Sequence, residues 1–148
     1  MAQPFDNIGL VMNRRANQIS KNVTHIMKAA ATAVDRNVVS DTPQDTGAAA
    51  SNWLVSIDKP LTGVIPPYAP GMKLGKGFPG NTNAATQQGK VAIGGFNIKK
   101  NNAIFISNNI EYIGILNDGR SKQAKPLFVQ RGIQSAVLEV KKFKLLDK

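Results

Sequence analysis

The sequence predicts an α+β fold with a long N-terminal helix, a small antiparallel sheet of three to four strands and a C-terminal helix. Apolar residues recur every three or four positions over residues 5–40 and again over residues 126–143, whereas shorter segments between them alternate apolar and polar residues. At 148 residues, the chain is expected to form one domain, residues 1–148, with room for a buried core.

Composition restricts the function before any motif is considered. The 19 Lys and Arg outnumber 9 Asp and Glu, a formal net charge of +10, which favours anionic partners such as nucleic acid or acidic protein surfaces. The basic residues are scattered rather than gathered in one block, so a merely solvated basic surface is the competing interpretation. Cysteine is absent, which excludes disulfides and thiolate metal sites. No stretch approaches the roughly 20 apolar residues of a membrane span, and no membrane association is expected.

The first 40 residues predict one amphipathic helix of about 30 residues or more, long for a globular protein. Arg14, Lys21 and Lys28 repeat every seven residues on its polar side. His25 falls on that side without a second metal-ligating residue, which indicates a surface position. The alternative is that Asn37 or an earlier residue divides the segment into two helices. The apolar stripe comprises Ile8, Met12, Ala16, Ile19, Val23, Ile26, Ala30 and Val34.

A turn motif, TPQDTG at residues 42–47, separates the helical pattern from the first predicted strand. Pro43 disfavours helical geometry at Thr42. Asp45 and Thr46 can bond their own backbone, and Gly47 tolerates a positive φ. The long helix is therefore predicted to end here and the chain to turn.

A strand is predicted over residues 51–58, where Trp53, Val55 and Ile57 share one face. Residues 59–90 are rich in proline and glycine and have no sustained period, which predicts an extended loop or arm able to order on a partner. The residues expected to make contacts in that arm are Pro66, Pro67, Tyr68, Lys73, Lys76 and Phe78.

Two further strands are predicted over residues 91–108, as a hairpin that turns at residues 99–102. Gly94 and Gly95 indicate either a bulge within the first of them or a place where another backbone approaches closely. Residues 111–120 are apolar and then turn sharply at Asn117, Asp118 and Gly119.

The C-terminal helix is predicted over residues 126–143, with Pro126 in its first turn, where a missing N–H is tolerated. Its apolar positions recur at intervals of four and three residues. Such a helix is expected to pack on the sheet or against the first helix.

No constellation of residues indicates catalysis, so no enzymatic activity, metal or cofactor is expected. A nucleophilic cysteine is missing, and the acidic residues do not share the spacing of a metal motif or an acid/base pair. Asp45, Asp118 and Arg120 each stand beside a glycine turn, and turn formation with ion pairing accounts for all three.

Two motifs in this order resemble a known family. TPQDTG leading into a strand with a tryptophan, followed by YIGILNDGRSKQA at residues 112–124 before a terminal helix, is similar to the neck and tail-completion proteins of tailed bacteriophages. That family includes head–tail joining proteins and minor tail proteins of the lambda Z type. The resemblance covers roughly residues 5–140. It departs at Ala48, Ala49 and Ala50, where members often carry a basic residue, and at Lys125, Pro126 and Leu127, where proline followed by glycine is common.

The resemblance implies a structural virion protein that forms a homo-oligomeric ring, commonly sixfold, in the neck or at the head-proximal end of the tail. Its implied partners are other neck, connector, tail-terminator or tail-tube proteins, with incidental contact to DNA in the lumen, and its implied location before assembly is the host cytoplasm. The alternative is a basic nucleic-acid-binding protein. Within the ring hypothesis, Pro43, Asp45 and Gly47 are expected to set the angle between the long helix and the sheet. Asn117, Asp118, Gly119 and Arg120 are expected to form a second fixed corner.

Overall fold

The computed structural model describes residues 4–70 and 78–145. Its elements confirm the α+β class, the long N-terminal helix and the C-terminal helix. In chain order they are α1 (Pro4–Asp41), α2 (Ala48–Ser51), β1 (Leu54–Ile57), α3 (Phe78–Gly94), β2 (Ile104–Ser107), α4 (Ile113–Asn117) and α5 (Phe128–Val140).

Helix α1 is continuous over 38 residues, a length of about 57 Å. The prediction of one long helix is therefore confirmed, and the alternative break at Asn37 is not observed. The C-terminal half of α1 packs mainly against α5 and α3. Val38 and Val39 enter the core beside Trp53 and Phe128, which are the bulky side chains of the central cluster.

Within the described residues the sheet has two strands rather than three to four. β1 and β2 pair antiparallel, with Leu54 opposite Ser107 and Ile57 opposite Ile104. The strand predicted over residues 51–58 is shorter than expected, because residues 48–51 form the single turn of α2. Trp53 is buried between the two elements.

The predictions for residues 59–90 and 91–108 are wrong in part, because α3 covers Phe78–Gly94. Pro79 stands in the first turn of α3, where it removes no intrahelical hydrogen bond. Small residues further along the helix allow it to lie close to α1, so tertiary packing outweighs the poor helix propensity of its glycines and asparagines. The predicted hairpin at 91–108 is therefore absent, and Gly94 ends a helix instead of forming a bulge.

Gln88 occupies the edge of β1 that does not pair with β2. The Val55 N–H donates to Gln88 Oε1 at 3.1 Å, and Gln88 Nε2 donates to the Val55 carbonyl at 3.0 Å. The side-chain amide thus satisfies both backbone groups that another strand would pair with. A helix covers the edge, which removes a site for edge-to-edge aggregation.

Asp58 organises the loop that precedes β2. Its carboxylate accepts hydrogen bonds from Asn101 Nδ2 at 3.0 Å and from the Asn102 N–H at 2.6 Å. These bonds lower the pKa of the exposed Asp58 carboxyl, and the bond from Asn101 has the largest effect. The turn predicted at residues 99–102 thus exists, but it faces the end of β1 rather than connecting two strands of a hairpin.

A buried carboxyl lies where α1 meets α3. Asp35 is 1% exposed, and its Oδ1 has no hydrogen-bond partner within the described part of the chain. A Cβ added to Gly89 would lie 2.1 Å from Asp35 Oδ2, so only glycine fits there. Burial raises the pKa of Asp35 to about 7, because a low-dielectric site disfavours the charged form.

Candidate functional site

The two turn motifs lie side by side and line one surface cleft of about 390 Å³. Residues 43–47 form one wall. The opposite wall includes Tyr112, Leu116, Arg120 and Gln123. The sequence alone presents the motifs as separate corners, whereas the fold brings them into contact.

The first wall is built on Thr42, which ends α1. Its hydroxyl donates to the Val38 carbonyl at 2.5 Å and accepts from Trp53 Nε1 at 2.7 Å. One threonine therefore closes the last turn of the helix and orients the largest core side chain. Pro43 follows and is buried, which holds the chain in its extended exit from the helix.

Gly47 ends the first wall with φ +83°, as its turn chemistry predicts. A Cβ at this position would lie 2.0 Å from Asn81 Nδ2. Asn81 is held by hydrogen bonds to the Ala69 carbonyl and N–H, both at 2.7 Å, and by Ser51 Oγ at 2.9 Å. Both the backbone angle and the close neighbour thus require glycine.

Gln44 has a role that sequence reasoning missed. It is buried, and its N–H donates to Gln123 Oε1 at 2.8 Å, which joins the two motifs directly. Its Nε2 donates to Thr82 Oγ1 at 3.0 Å, which links the turn to α3. Its Oε1 is buried without a hydrogen-bond partner among the described residues. A glutamine between two turn residues carries no sequence signal of burial, since glutamine is ordinarily exposed.

The second wall is organised by Asn117. Its Oδ1 accepts from the Val129 N–H at 3.0 Å, and its carbonyl accepts from the Leu127 N–H at 2.6 Å. Leu127 precedes α5 with φ +59° and supplies no side-chain cap. Asn117 therefore caps α5 from a distant turn. The prediction that Pro126 lies in the first turn of this helix is wrong, because α5 begins at Phe128.

Gly119 allows this arrangement. Its φ is +88°, and a Cβ on it would lie 2.4 Å from Pro126 Cγ. The turn can therefore lie directly against the segment that enters α5. Two of the predicted turn residues, Asn117 and Gly119, thus position the C-terminal helix.

Asn117→Ala is expected to lower the free energy of unfolding by about 1–2 kcal/mol, the usual effect of losing a helix N-cap. The measurement is urea unfolding followed by circular dichroism. The neighbouring Asp118→Ala is the matched control, since Asp118 is exposed, and it should change stability by less than about 0.5 kcal/mol. Equal effects of the two substitutions would contradict the capping role of Asn117.

The three charged residues that stand beside glycine turns do not form one polar cluster. Asp45, Asp118 and Arg120 are all exposed. Within the described residues, the only ion pair joins Arg36 and Glu139, at 2.8 Å. Ion pairing among the three residues is therefore not observed. Turn geometry remains the physical account of their positions.

Hydrogen bonds with Ser51 and Asn52 hold residues 65–68 of the predicted arm against the domain. Asn52 accepts from the Ile65 N–H and donates to the Ile65 carbonyl, both at 2.8 Å. Tyr68 N–H donates to Ser51 Oγ at 3.2 Å. Residues 59–70 therefore lie along the domain instead of extending from it. Of the six expected contact residues, Pro66 and Tyr68 are exposed and Pro67 is half-buried; Phe78 begins α3, and Lys73 and Lys76 lie outside the described residues.

The fold also gathers lysines that are scattered in the sequence. Lys99 Nζ donates to Asn17 Oδ1 at 2.5 Å and shares a small cleft with Lys21. Lys28 Nζ donates to the Gly94 carbonyl at 2.7 Å. On the adjoining side of α1, the Phe143 ring meets His25 edge-on at 5.2 Å, which brings the end of the chain to the same region. We refer to Lys21, Lys28, Lys99, Lys141 and Lys142 as the basic band.

The described residues contain no group of three or more His, Asp or Glu side chains placed to hold a metal ion. Over the same ranges, the helices lack the length and apolar character needed to cross a membrane. The arrangement is an α+β domain with a cleft at the junction of two turns. No protein-family model, curated protein or solved structure shows significant similarity to this chain.

Proposed function

We propose that this chain is a structural virion protein of a tailed bacteriophage, forming a ring in the neck that completes the tail or joins the head to the tail. The observation that carries the proposal is the pairing of the two motifs. TPQDTG and YIGILNDGRSKQA at residues 112–124 are the parts of the sequence that resemble this family, and the Gln44 N–H joins them by donating to Gln123 Oε1 at 2.8 Å. Motifs that depend on each other in space support the family assignment more than two independent turns would.

The cleft between the motifs supports a contact surface rather than a reaction centre. Its charged side chains, Asp45 and Arg120, are exposed and stand beside turns. The neighbouring hydroxyls of Thr46 and Ser121 accept hydrogen bonds from the Ala48 and Gln123 N–H groups, as turn residues do. We expect the ring to be a hexamer in the virion, formed in the host cytoplasm from soluble subunits. Its expected partners are connector, tail-terminator or tail-tube proteins.

The test is assembly of the phage that encodes this chain. Without the chain, electron microscopy should find filled heads and tails that remain separate or incomplete, and adding the purified protein should restore infectious particles. The cleft variant Gln123→Ala, which removes the acceptor of the Gln44 N–H from an exposed position, should fold but restore fewer particles. Normal infectious particles formed without the chain would overturn the proposal.

The basic band favours nucleic-acid binding as a second candidate function. Five lysines around one region of α1 provide the electrostatic footprint that a phosphate backbone recognises. In a neck ring the same band would face DNA in the lumen, whereas in a dedicated DNA-binding protein it would be the main site.

A dedicated DNA-binding protein should lose roughly 100-fold or more in affinity for duplex DNA between 50 and 200 mM salt, because each phosphate contact releases counterions. Lys21→Gln with Lys99→Gln should reduce the slope of log affinity against log salt by about 2. Lys122→Gln with Lys125→Gln removes the same charge from exposed positions near the C-terminal end of α1, about 30 Å along the helix from Lys21, and serves as the control. Fluorescence anisotropy measures both. Weak binding at 50 mM salt, equal for both double variants, would exclude this candidate.

A further inference from the structure

The N-terminal end of α1 carries an apolar surface that the fold does not use. Lys99 contacts α1 at Asn17, and every described side chain over residues 5–16 is exposed. Twelve helical residues correspond to about 18 Å. We call this segment the α1 extension.

One face of the α1 extension continues the stripe that packs inside the domain. Phe5, Ile8 and Met12 follow each other at spacings of three and four, in phase with the half-buried Val23 and Ile26. Phe5 is 80% exposed and Met12 66%. With Ile19, this face exposes on the order of 500 Å² of apolar side chain, a size at which surface patches are usually interaction sites.

A second unused apolar strip lies on the outer face of α5. Ile133 and Val137 are one helical turn apart and are 45% and 47% exposed. Val140 extends the strip towards the end of α5 and is half-buried. We call these three residues the α5 strip.

Both surfaces are poor in charge although the chain carries +10. The charged residues of the α1 extension are Asp6, Arg14 and Arg15, and helical spacing places none of them between Phe5, Ile8 and Met12 on the apolar face. In α5 the charged residues are Arg131 and Glu139, which helical spacing places away from the strip, and Glu139 is bound by Arg36. Depletion of charge is what distinguishes the centre of a protein interface from the rest of a surface.

We propose that the α1 extension of one copy packs on the α5 strip of a second copy of this chain. Every copy carries both an α1 extension and an α5 strip. The extension of one copy can therefore bind the strip of the next copy. The apolar area of the extension, on the order of 500 Å², is comparable to the non-polar part of a standard interface, which is about 57% of roughly 800 Å² per partner. The contact is heterologous, since different surfaces meet, and such contacts close into rings when the rotation allows. The inference rests on the proposed function in that it names the surfaces through which the ring subunits would meet.

The first experiment measures mass in solution by sedimentation velocity. The wild-type chain at about 100 μM should form oligomers. Ile8→Glu with Met12→Glu, and separately Val137→Glu, should remain monomeric, because each buries a charge in the contact. Leu10→Glu and Leu138→Glu are matched controls. Both residues are exposed on the same helices but lie on other faces, so these variants should assemble as the wild type does.

The second experiment mixes the two monomeric variants. The Val137→Glu chain keeps an intact α1 extension, and the Ile8→Glu, Met12→Glu chain keeps an intact α5 strip, so the mixture should form a dimer with one contact. A symmetric contact between two α1 extensions would instead leave Val137→Glu oligomeric by itself, and the mixture would gain nothing. That result overturns the inference. Circular dichroism spectra equal to the wild-type spectrum establish that the variants are folded.

The same data separate failure of this inference from failure of the proposed function. Oligomers that survive both Ile8→Glu with Met12→Glu and the separate Val137→Glu substitution would overturn the interface while leaving the ring possible. A chain that stays monomeric at about 100 μM would also overturn it. Oligomers that form through these surfaces but never restore phage particles would overturn the proposed function and leave the interface intact.

Discussion

Gly47→Ala is expected to lower the free energy of unfolding by about 4 kcal/mol. The positive φ of +83° costs a residue with a Cβ about 1–3 kcal/mol. The new methyl group would also lie 2.0 Å from Asn81 Nδ2, and overpacking typically costs about 1–3 kcal/mol more. Asn81 cannot move away cheaply, because it is fully buried and anchors Ala69 and Ser51.

The prediction is tested by urea unfolding with two comparison variants. Gly114→Ala, in α4 with no atom near its added Cβ, should leave stability unchanged or raise it by about 0.5–1 kcal/mol, since alanine favours helix. The double variant Gly47→Ala with Asn81→Ala should be less destabilised than the sum of the single variants, because the second substitution removes the clash. Strict additivity would refute the close contact between Gly47 and Asn81.

Asp35→Asn is expected to raise the free energy of unfolding by about 2 kcal/mol at pH 9 and to change the pH dependence of stability. Burial raises the pKa of Asp35 from 3.8 to about 7, so the folded state holds this proton in a pH range where the unfolded state has lost it. The contribution of Asp35 to the free energy of unfolding is therefore fully present below about pH 4. It decreases between about pH 4 and 7 and is lost above pH 7.

The size of the effect follows from the two pKa values. A tenfold change in a protonation equilibrium corresponds to about 1.4 kcal/mol, so ionised Asp35 would lower stability by roughly 4 kcal/mol at pH 9. The asparagine variant keeps the shape that fits against Gly89, at the cost of a buried amide of about 1–3 kcal/mol. The expected net gain in the free energy of unfolding, about 2 kcal/mol, is therefore smaller than the roughly 4 kcal/mol that ionised Asp35 costs.

The measurement is urea unfolding of both proteins between pH 4 and 9. The difference between them isolates Asp35 from other titrating groups, and it should grow with pH across the window between 4 and 7. Asp118→Asn removes the same charge from an exposed site and is the control. A gain for Asp35→Asn that is equal at pH 4 and pH 9 would contradict a buried ionising carboxyl.

The local sequence was sufficient for the two long amphipathic helices and for the turns between elements. The stripe from Ile8 to Val34 predicted α1 because side chains on one helix face repeat every 3.6 residues, whatever they pack against. Pro43 and Gly47 predicted the turn because their backbone preferences are properties of single residues. The positions of β1 and β2 were also predicted, within segments that were too long.

Helix α3 could not be predicted in the same way. Its sequence contains Pro79, Gly80 and Gly89, which oppose a helix in isolation. In the structure, Gly89 leaves room for the Asp35 side chain of α1. The neighbouring Gln88 accepts a hydrogen bond from Val55 at the edge of β1. Asp35 and β1 are distant from α3 in the chain, so the local sequence of α3 does not show that contacts with them offset its poor helix propensity.

By itself, therefore, the sequence determined the α+β class, the length of α1 and the positions of the two turns. Only the tertiary structure decided that the motifs form one cleft, that Gln44 joins them and that Asn117 caps α5. The physical reason is range: periodicity and turn preference depend on neighbours in the chain, whereas Gln44 and Gln123 are 79 residues apart. Such a contact exists only once the core around Trp53 and Phe128 has brought the two turns together.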